Sequence, residues 1–155
     1  MDYDLLLSQL RALAEAEGWY VPLMANASAL LYETLADVNW AGFYLVRKNE
    51  LVLGPFQGKT ACIRIARGRG VCGTAWAEGR TVRVEDVHQF PGHIACDSAS
   101  NSEIVIPLHS GGRVRAVLDI DSPLFSRFSA RDQEGLETFA RVLEEYLQWD
   151  GEDSQ

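Results

Sequence analysis

Apolar residues recur at helical spacing in two stretches near the start of the chain. Leu6, Leu10, Leu13 and Ala14 mark one side of a helix predicted over residues 4–17. Leu23, Ala27, Leu30, Leu31 and Leu35 mark a second, from about Leu23 to Asp37, ended by Asn39. The period then falls to two. Trp40–Val46 reads as a strand, Lys48-Asn49-Glu50 as a hairpin turn and Leu51–Phe56 as its partner. Thr60–Ala66, rich in β-branched residues, predicts a third strand. Val71–Glu78 predicts a short helix closed by Gly79, and Thr81–Val84 a fourth strand. Residues 85–102 show no period, and a loop of that length in a compact domain usually carries function. Glu103–His109 and Val114–Asp121, joined by Ser-Gly-Gly-Arg, form a second hairpin. Ser129 starts a last helix, with a capping-box-like sequence, that runs to about Trp149.

The order is two helices, five or six short strands interrupted by one helix, then a helix. Tight turns make the sheet antiparallel at both hairpins. This is an α+β layout, with helices against one face of the sheet and loops over the other. A single domain over residues 1–149 and an acidic tail over 150–155 are expected.

Composition narrows the functional classes. The chain has 155 residues, 47% apolar and 23% charged, which fits one ordinary globular domain and not a disordered, collagen-like or disulfide-scaffold protein. No apolar run approaches the ~18 residues of a membrane span. The N-terminal stretch is acidic and lacks a basic n-region, so a cytoplasmic location is expected. A net charge of −8 disfavours nucleic acid as a partner. The locally basic middle, with Lys59, Arg64, Arg67, Arg69, Arg80 and Arg83, reads as a solvated face.

The three cysteines, Cys62, Cys72 and Cys96, are an odd number, which disfavours a structural disulfide framework. No C-x-x-C pair is present, and His88, His93 and His109 do not fall at zinc-finger spacing, so no metal site is expected. Cys62 lies in the predicted third strand, where burial is the simplest reading. Cys72 follows a glycine-rich turn at a predicted helix start, a place that lowers a thiol pKa. Cys96 lies in the long polar loop near His93, where an accessible thiol could act as a nucleophile.

Strand alternation sorts further candidates. Trp40, Gly42 and Tyr44 share one face of the first strand, and the glycine leaves a gap that a ligand could enter. In the last strand Val114, Ala116, Leu118 and Ile120 form an apolar face, while Arg115, Val117, Asp119 and Asp121 point the other way. Two carboxylates on one face repel each other unless a cation lies between them. With Glu103 on the neighbouring strand, they suggest a pocket for a small cation bounded by two aromatics.

Four stretches carry a family resemblance. N-W-A-G-F-Y-L, L-x-L-G-P-F-Q-G-x-x-A-C-x-x-I, G-x-G-V-C-G-T-A and H-I-A-C-D-S-x-S-x-S-E-I-V-I-P together resemble the free methionine-(R)-sulfoxide reductases, a catalytic branch of the GAF fold. The match runs from about Leu23 to Leu147 and includes all three family cysteines, separated by ten and twenty-four positions. The resemblance implies a six-stranded antiparallel sheet flanked by helices, and a homodimer. It implies reduction of the free amino acid methionine-(R)-sulfoxide, with no cofactor and with thioredoxin as reductant. Cys96 would be the nucleophile, with Cys62 and Cys72 as resolving or relay thiols. Trp40, Tyr44, Glu103, Asp119 and Asp121 would form the substrate pocket, with Glu103 as a proton donor or hydrogen-bonding acid and Asp119 and Asp121 as anchors for the ammonium group. The alternatives are a non-catalytic GAF module that binds a small ligand and a thiol redox sensor.

Overall fold

The computed structural model describes residues 1–93 and 99–150. A helical pair, α1 (Tyr3–Ala16) and α2 (Tyr20–Thr34), precedes the hairpin of β1 (Trp40–Arg47) and β2 (Glu50–Gly58). Then come β3 (Arg64–Ala66), α3 (Gly70–Glu78), β4 (Val82–Val84), β5 (Ser102–Ser110), β6 (Arg113–Ser122) and α4 (Ala130–Tyr146). The six strands form one antiparallel sheet in the order β3-β2-β1-β6-β5-β4. Among the described residues, no helix is long and apolar enough to cross a membrane.

Local chemistry accounts for the helix ends. Asp2 accepts from the Leu5 N–H at 3.0 Å and starts α1. Ser129 and Asp132 form the reciprocal capping box of α4. Gly79 takes the left-handed conformation that closes α3, at φ 65°. Both helical starts are tied together, because the Tyr3 hydroxyl donates to Asp132 Oδ1 at 2.6 Å.

The sheet divides two cores. On one side Leu6 and Leu10 of α1, Leu23 and Leu31 of α2, and Phe139 and Leu143 of α4 cover Ala41, Phe43, Ile104, Ile106, Leu118 and Ile120. On the other, Val71, Ala75 and Trp76 of α3 cover Trp40, Tyr44, Val105 and Val117. Burial of apolar surface at about 25 cal/mol per Å² is what holds each layer to the sheet. Of the functional candidates among the described residues, Trp40, Tyr44 and Cys72 belong to the second, smaller core, and Cys62 packs against it.

Several expected boundaries shift. The second helix begins three residues early, at Tyr20, and stops at Thr34, with Leu35 extended as its cap, before Asn39 is reached. Of the predicted strand Thr60–Ala66 only Arg64–Ala66 pairs with β2. The Thr60–Cys62 stretch lies outside the sheet, so Cys62 is not on a strand and is half-buried. The loop predicted over 85–102 contains a 3-10 turn, Val87–Gln89, capped by the Asp86 side chain. The last helix ends at Tyr146, short of Trp149.

The alternation assumed for β6 also fails at one place. Leu108 pairs with Ala116 but His109 pairs with Val114, so Arg115 is an extra residue in a bulge. The bulge exchanges the faces. Val114 packs with the second core, and the buried Arg115 lies over the Trp149 ring, 4.9 Å from its centroid, on the side of the first core. Beyond the bulge the expected faces hold, with Asp119 on the side of Val117 and the α3 layer.

Candidate functional site

The sheet register builds the site. Across β1, β6 and β5, Trp40 pairs with Asp121, which pairs with Glu103. Two residues further along the strands the row is Gly42, Asp119 and Val105. Paired residues in neighbouring strands carry side chains on the same face at about 5 Å. An aromatic and three carboxylates are therefore set side by side by backbone pairing alone. Helix α3 closes over them and brings Cys72. A small cavity of about 50 Å³ lies between these elements, lined by Trp40, Tyr44, Cys72, Glu103, Asp119 and Asp121, with Arg69, His93 and Ser100 at its edges.

The acids are desolvated. Glu103 is 8% exposed and Asp119 5%. Burial pushes the Glu103 carboxyl well above the usual carboxylate range, and the charge of Asp119 pushes it the same way. Asp119 is raised by burial first and by Asp121 second. Crowding of like charges, the cause expected from the sequence, is thus the smaller of the two effects.

The aromatic wall of Trp40 and Tyr44 is backed by Phe56. Trp40 stacks on Tyr44 with centroids 5.9 Å apart and on Phe56 at 5.1 Å. Both hydrogen-bonding aromatics hold the segment beyond β2. The Trp40 indole N–H donates to the Lys59 carbonyl at 3.1 Å, and the Tyr44 hydroxyl donates to the Cys62 carbonyl at 2.9 Å. Gly58, at φ 131°, makes the close approach possible, since a Cβ there would stand 2.6 Å from Trp40 Cδ1. Cys62 is placed beside the pocket wall in this way.

Residues 27–148 match the model of the GAF domain family. A free methionine-R-sulfoxide reductase of Escherichia coli (strain K12) is 57% identical over 136 residues, covering 88% of this chain and 82% of that protein. The protein YtsP of Bacillus subtilis (strain 168) is 57% identical over 148 residues, covering 94% and 91%. The structure of fRMsr of Staphylococcus aureus in complex with substrate superposes with a TM-score of 0.91 at 49% identity, over 95% of this chain and 96% of that one. This chain belongs to the free methionine-R-sulfoxide reductase family of GAF domains.

Within this GAF domain the structure gathers five of the residues singled out from sequence, Trp40, Tyr44, Glu103, Asp119 and Asp121, around one cavity with Cys72. Cys96 lies outside the described residues. The expectation for Cys72 is overturned. Its thiol is free and 4% exposed, and burial together with the charges of Asp119, Glu103 and Asp121 drives its pKa well up. Burial of the thiol and the three acids beside it outweigh the amides of one helix turn. Cys62, by contrast, is disulfide-bonded.

The gap at Gly42 is also corrected. A Cβ built there would stand 2.2 Å from Phe56 Cβ, so the space belongs to Phe56 and not to a ligand. Phe56 itself was not anticipated, because β2 carries a bulge that reorients it: Gly42 pairs with Phe56 but Tyr44 pairs with Leu53. The sequence places Arg69 only in the solvated basic face. It is exposed, yet it also borders the cavity.

Proposed function

We propose that this GAF domain reduces free L-methionine (R)-sulfoxide to L-methionine by a cysteine thiolate. The observation that carries the reading is the convergence of Glu103, Asp119 and Asp121 on one buried cavity walled by Trp40 and Tyr44. Buried acids without a cation are costly, and the ammonium group of a free amino acid supplies one. The sulfur-bearing methyl end of the substrate suits an indole face. The family relatives, one of them solved in complex with substrate, support the same substrate.

In this reading Cys96 attacks the sulfoxide sulfur. The oxygen is protonated and passes to the cysteine, which becomes a sulfenic acid as methionine leaves. Glu103, whose carboxyl is raised by burial, supplies the proton, while Asp119 and Asp121 hold the ammonium group. A second thiol then condenses with the sulfenic acid, releasing water and leaving a disulfide. That Cys62 is disulfide-bonded while Cys72 is free supports Cys62 as the resolving thiol. The raised thiol of Cys72 supports the choice of Cys96 over Cys72 as nucleophile. A dithiol reductant, thioredoxin, exchanges with the disulfide and restores the enzyme.

The reading also includes a cytoplasmic location and a homodimer. Exposed Leu5, Trp19 and Val21, in or next to the first two helices, are suited to a subunit contact. The function is tested by following NADPH oxidation in the presence of thioredoxin, thioredoxin reductase and free L-methionine (R)-sulfoxide. Turnover with stoichiometric methionine is expected. No methionine with either thioredoxin or a small dithiol would dismiss the proposal.

A further inference from the structure

The reaction above leaves Cys72 without a step. Its sulfur, one carboxylate oxygen of Glu103 and one of Asp119 all lie within 4.8 Å of one another, and all three residues are buried. Asp119 is 5% exposed, and its Oδ1 is buried without a hydrogen-bond partner. We propose that Cys72, Glu103 and Asp119 form a binding site for a divalent cation of the zinc class, taken up in competition with the substrate.

The donor set decides the class of ion. A thiolate selects against magnesium and calcium, which take oxygen ligands, and one sulfur with two carboxylates suits a borderline ion such as Zn²⁺. Ligand distances of ~2.0–2.3 Å place the donors of a tetrahedral site roughly 3.3–3.8 Å apart. The trio, already within 4.8 Å, needs a contraction of at most about 1–1.5 Å, a rotamer adjustment. Three protein ligands leave the fourth position to the cavity. Binding exchanges ligand protons for the ion, so the protons appear in solution and no electrons move. The ion would also relieve the repulsion among the buried acids.

The competition rests on the proposed function, because it takes Glu103 and Asp119 away from the ammonium group and the sulfoxide oxygen. The site itself does not. The full chain, with the Cys62 disulfide intact, is titrated with Co²⁺ and followed by the thiolate-to-cobalt charge-transfer band in the near ultraviolet. One ion per chain is expected, with the band lost in Cys72→Ser and the affinity at least tenfold weaker in Asp119→Asn and Glu103→Gln. Far-ultraviolet circular dichroism and Tm establish that each variant is folded. Free methionine sulfoxide should displace the ion. No band at millimolar Co²⁺, or a band that survives Cys72→Ser, overturns the site, whatever the reductase activity. A band that ignores the sulfoxide overturns the competition. A protein that binds Co²⁺ through Cys72 but makes no methionine keeps the site and loses the proposed function.

Discussion

Phe56 of β2 occupies the space above Gly42 of β1, 2.2 Å from where a side chain on Gly42 would begin. Its ring stacks on Trp40, which faces the cavity. A methyl group at position 42 would also meet the Phe56 Cα at 2.7 Å, so the backbone of β2 must move. Gly42→Ala is expected to lower stability by about 1–3 kcal/mol, as overpacking does. It should raise KM for the sulfoxide more than it lowers kcat, since the displaced Phe56 takes Trp40 with it. Thermal unfolding and steady-state kinetics check both parts.

The three acids do different work from ordinary surface carboxylates, because each borders the cavity and two are nearly fully buried. Glu103→Gln, Asp119→Asn and Asp121→Asn should each lower kcat/KM by roughly a hundredfold or more, the range for positioned acid–base groups. Stability should hold or rise, since neutral amides do not repel their neighbours. Wild-type kcat/KM in all three variants would leave the carboxylate pocket without a role.

The thiols separate by the number of turnovers. Cys96→Ser should form no methionine at all, even stoichiometrically. Cys62→Ser and Cys72→Ser should each yield one equivalent in the absence of reductant, and Cys62→Ser should lose thioredoxin-driven cycling. Quenched single-turnover assays with methionine quantification distinguish these cases. A burst from Cys96→Ser with none from Cys72→Ser would transfer the attack to Cys72.

Asp132 links α1 and α4 and gives a pH-dependent element far from the cavity. Hydrogen bonds from Ser129 and Tyr3 and the nearby Arg127 hold its carboxyl below the usual range, against the opposing effect of burial. A carboxyl with a lowered folded pKa stabilises fully above its unfolded pKa of about 4 and loses that contribution as pH falls through the folded value. Asp132→Asn should therefore be destabilising near neutrality, by about 1–2 kcal/mol for a charged cap and hydrogen bond. The difference from wild type should shrink below about pH 4. Denaturant midpoints measured at several pH values test the sign.

The parts of the fold legible in the sequence are those set by local chemistry. Gly79 closes α3 and Ser129 opens α4 because their caps need only a few neighbouring residues. The register that aligns Trp40, Asp121 and Glu103 follows from the two hairpins and from the pairing of β1 with β6, and the first of these could be read. The bulges at Arg115 and before Phe56 could not, since strict alternation carries no sign of an extra residue. Thr60–Cys62 has strand composition, yet the side chains of Trp40 and Tyr44 engage the backbone around it from below. Cys72 shows the same limit. Its helix position predicts an acidic thiol, and burial, with acids from β5 and β6 that are distant in sequence, reverses the outcome.

In the proposed reaction the acidic pocket recognises the ammonium group of a free amino acid while a thiolate reduces its sulfoxide. The measurement that tests it most directly compares kcat/KM for free L-methionine (R)-sulfoxide with that for its N-acetyl derivative, under thioredoxin-coupled turnover. Turnover of the free compound is expected, with a loss of at least about a hundredfold on acetylation, the cost expected when a buried charge loses its partner. Equal kcat/KM for the two compounds would contradict it.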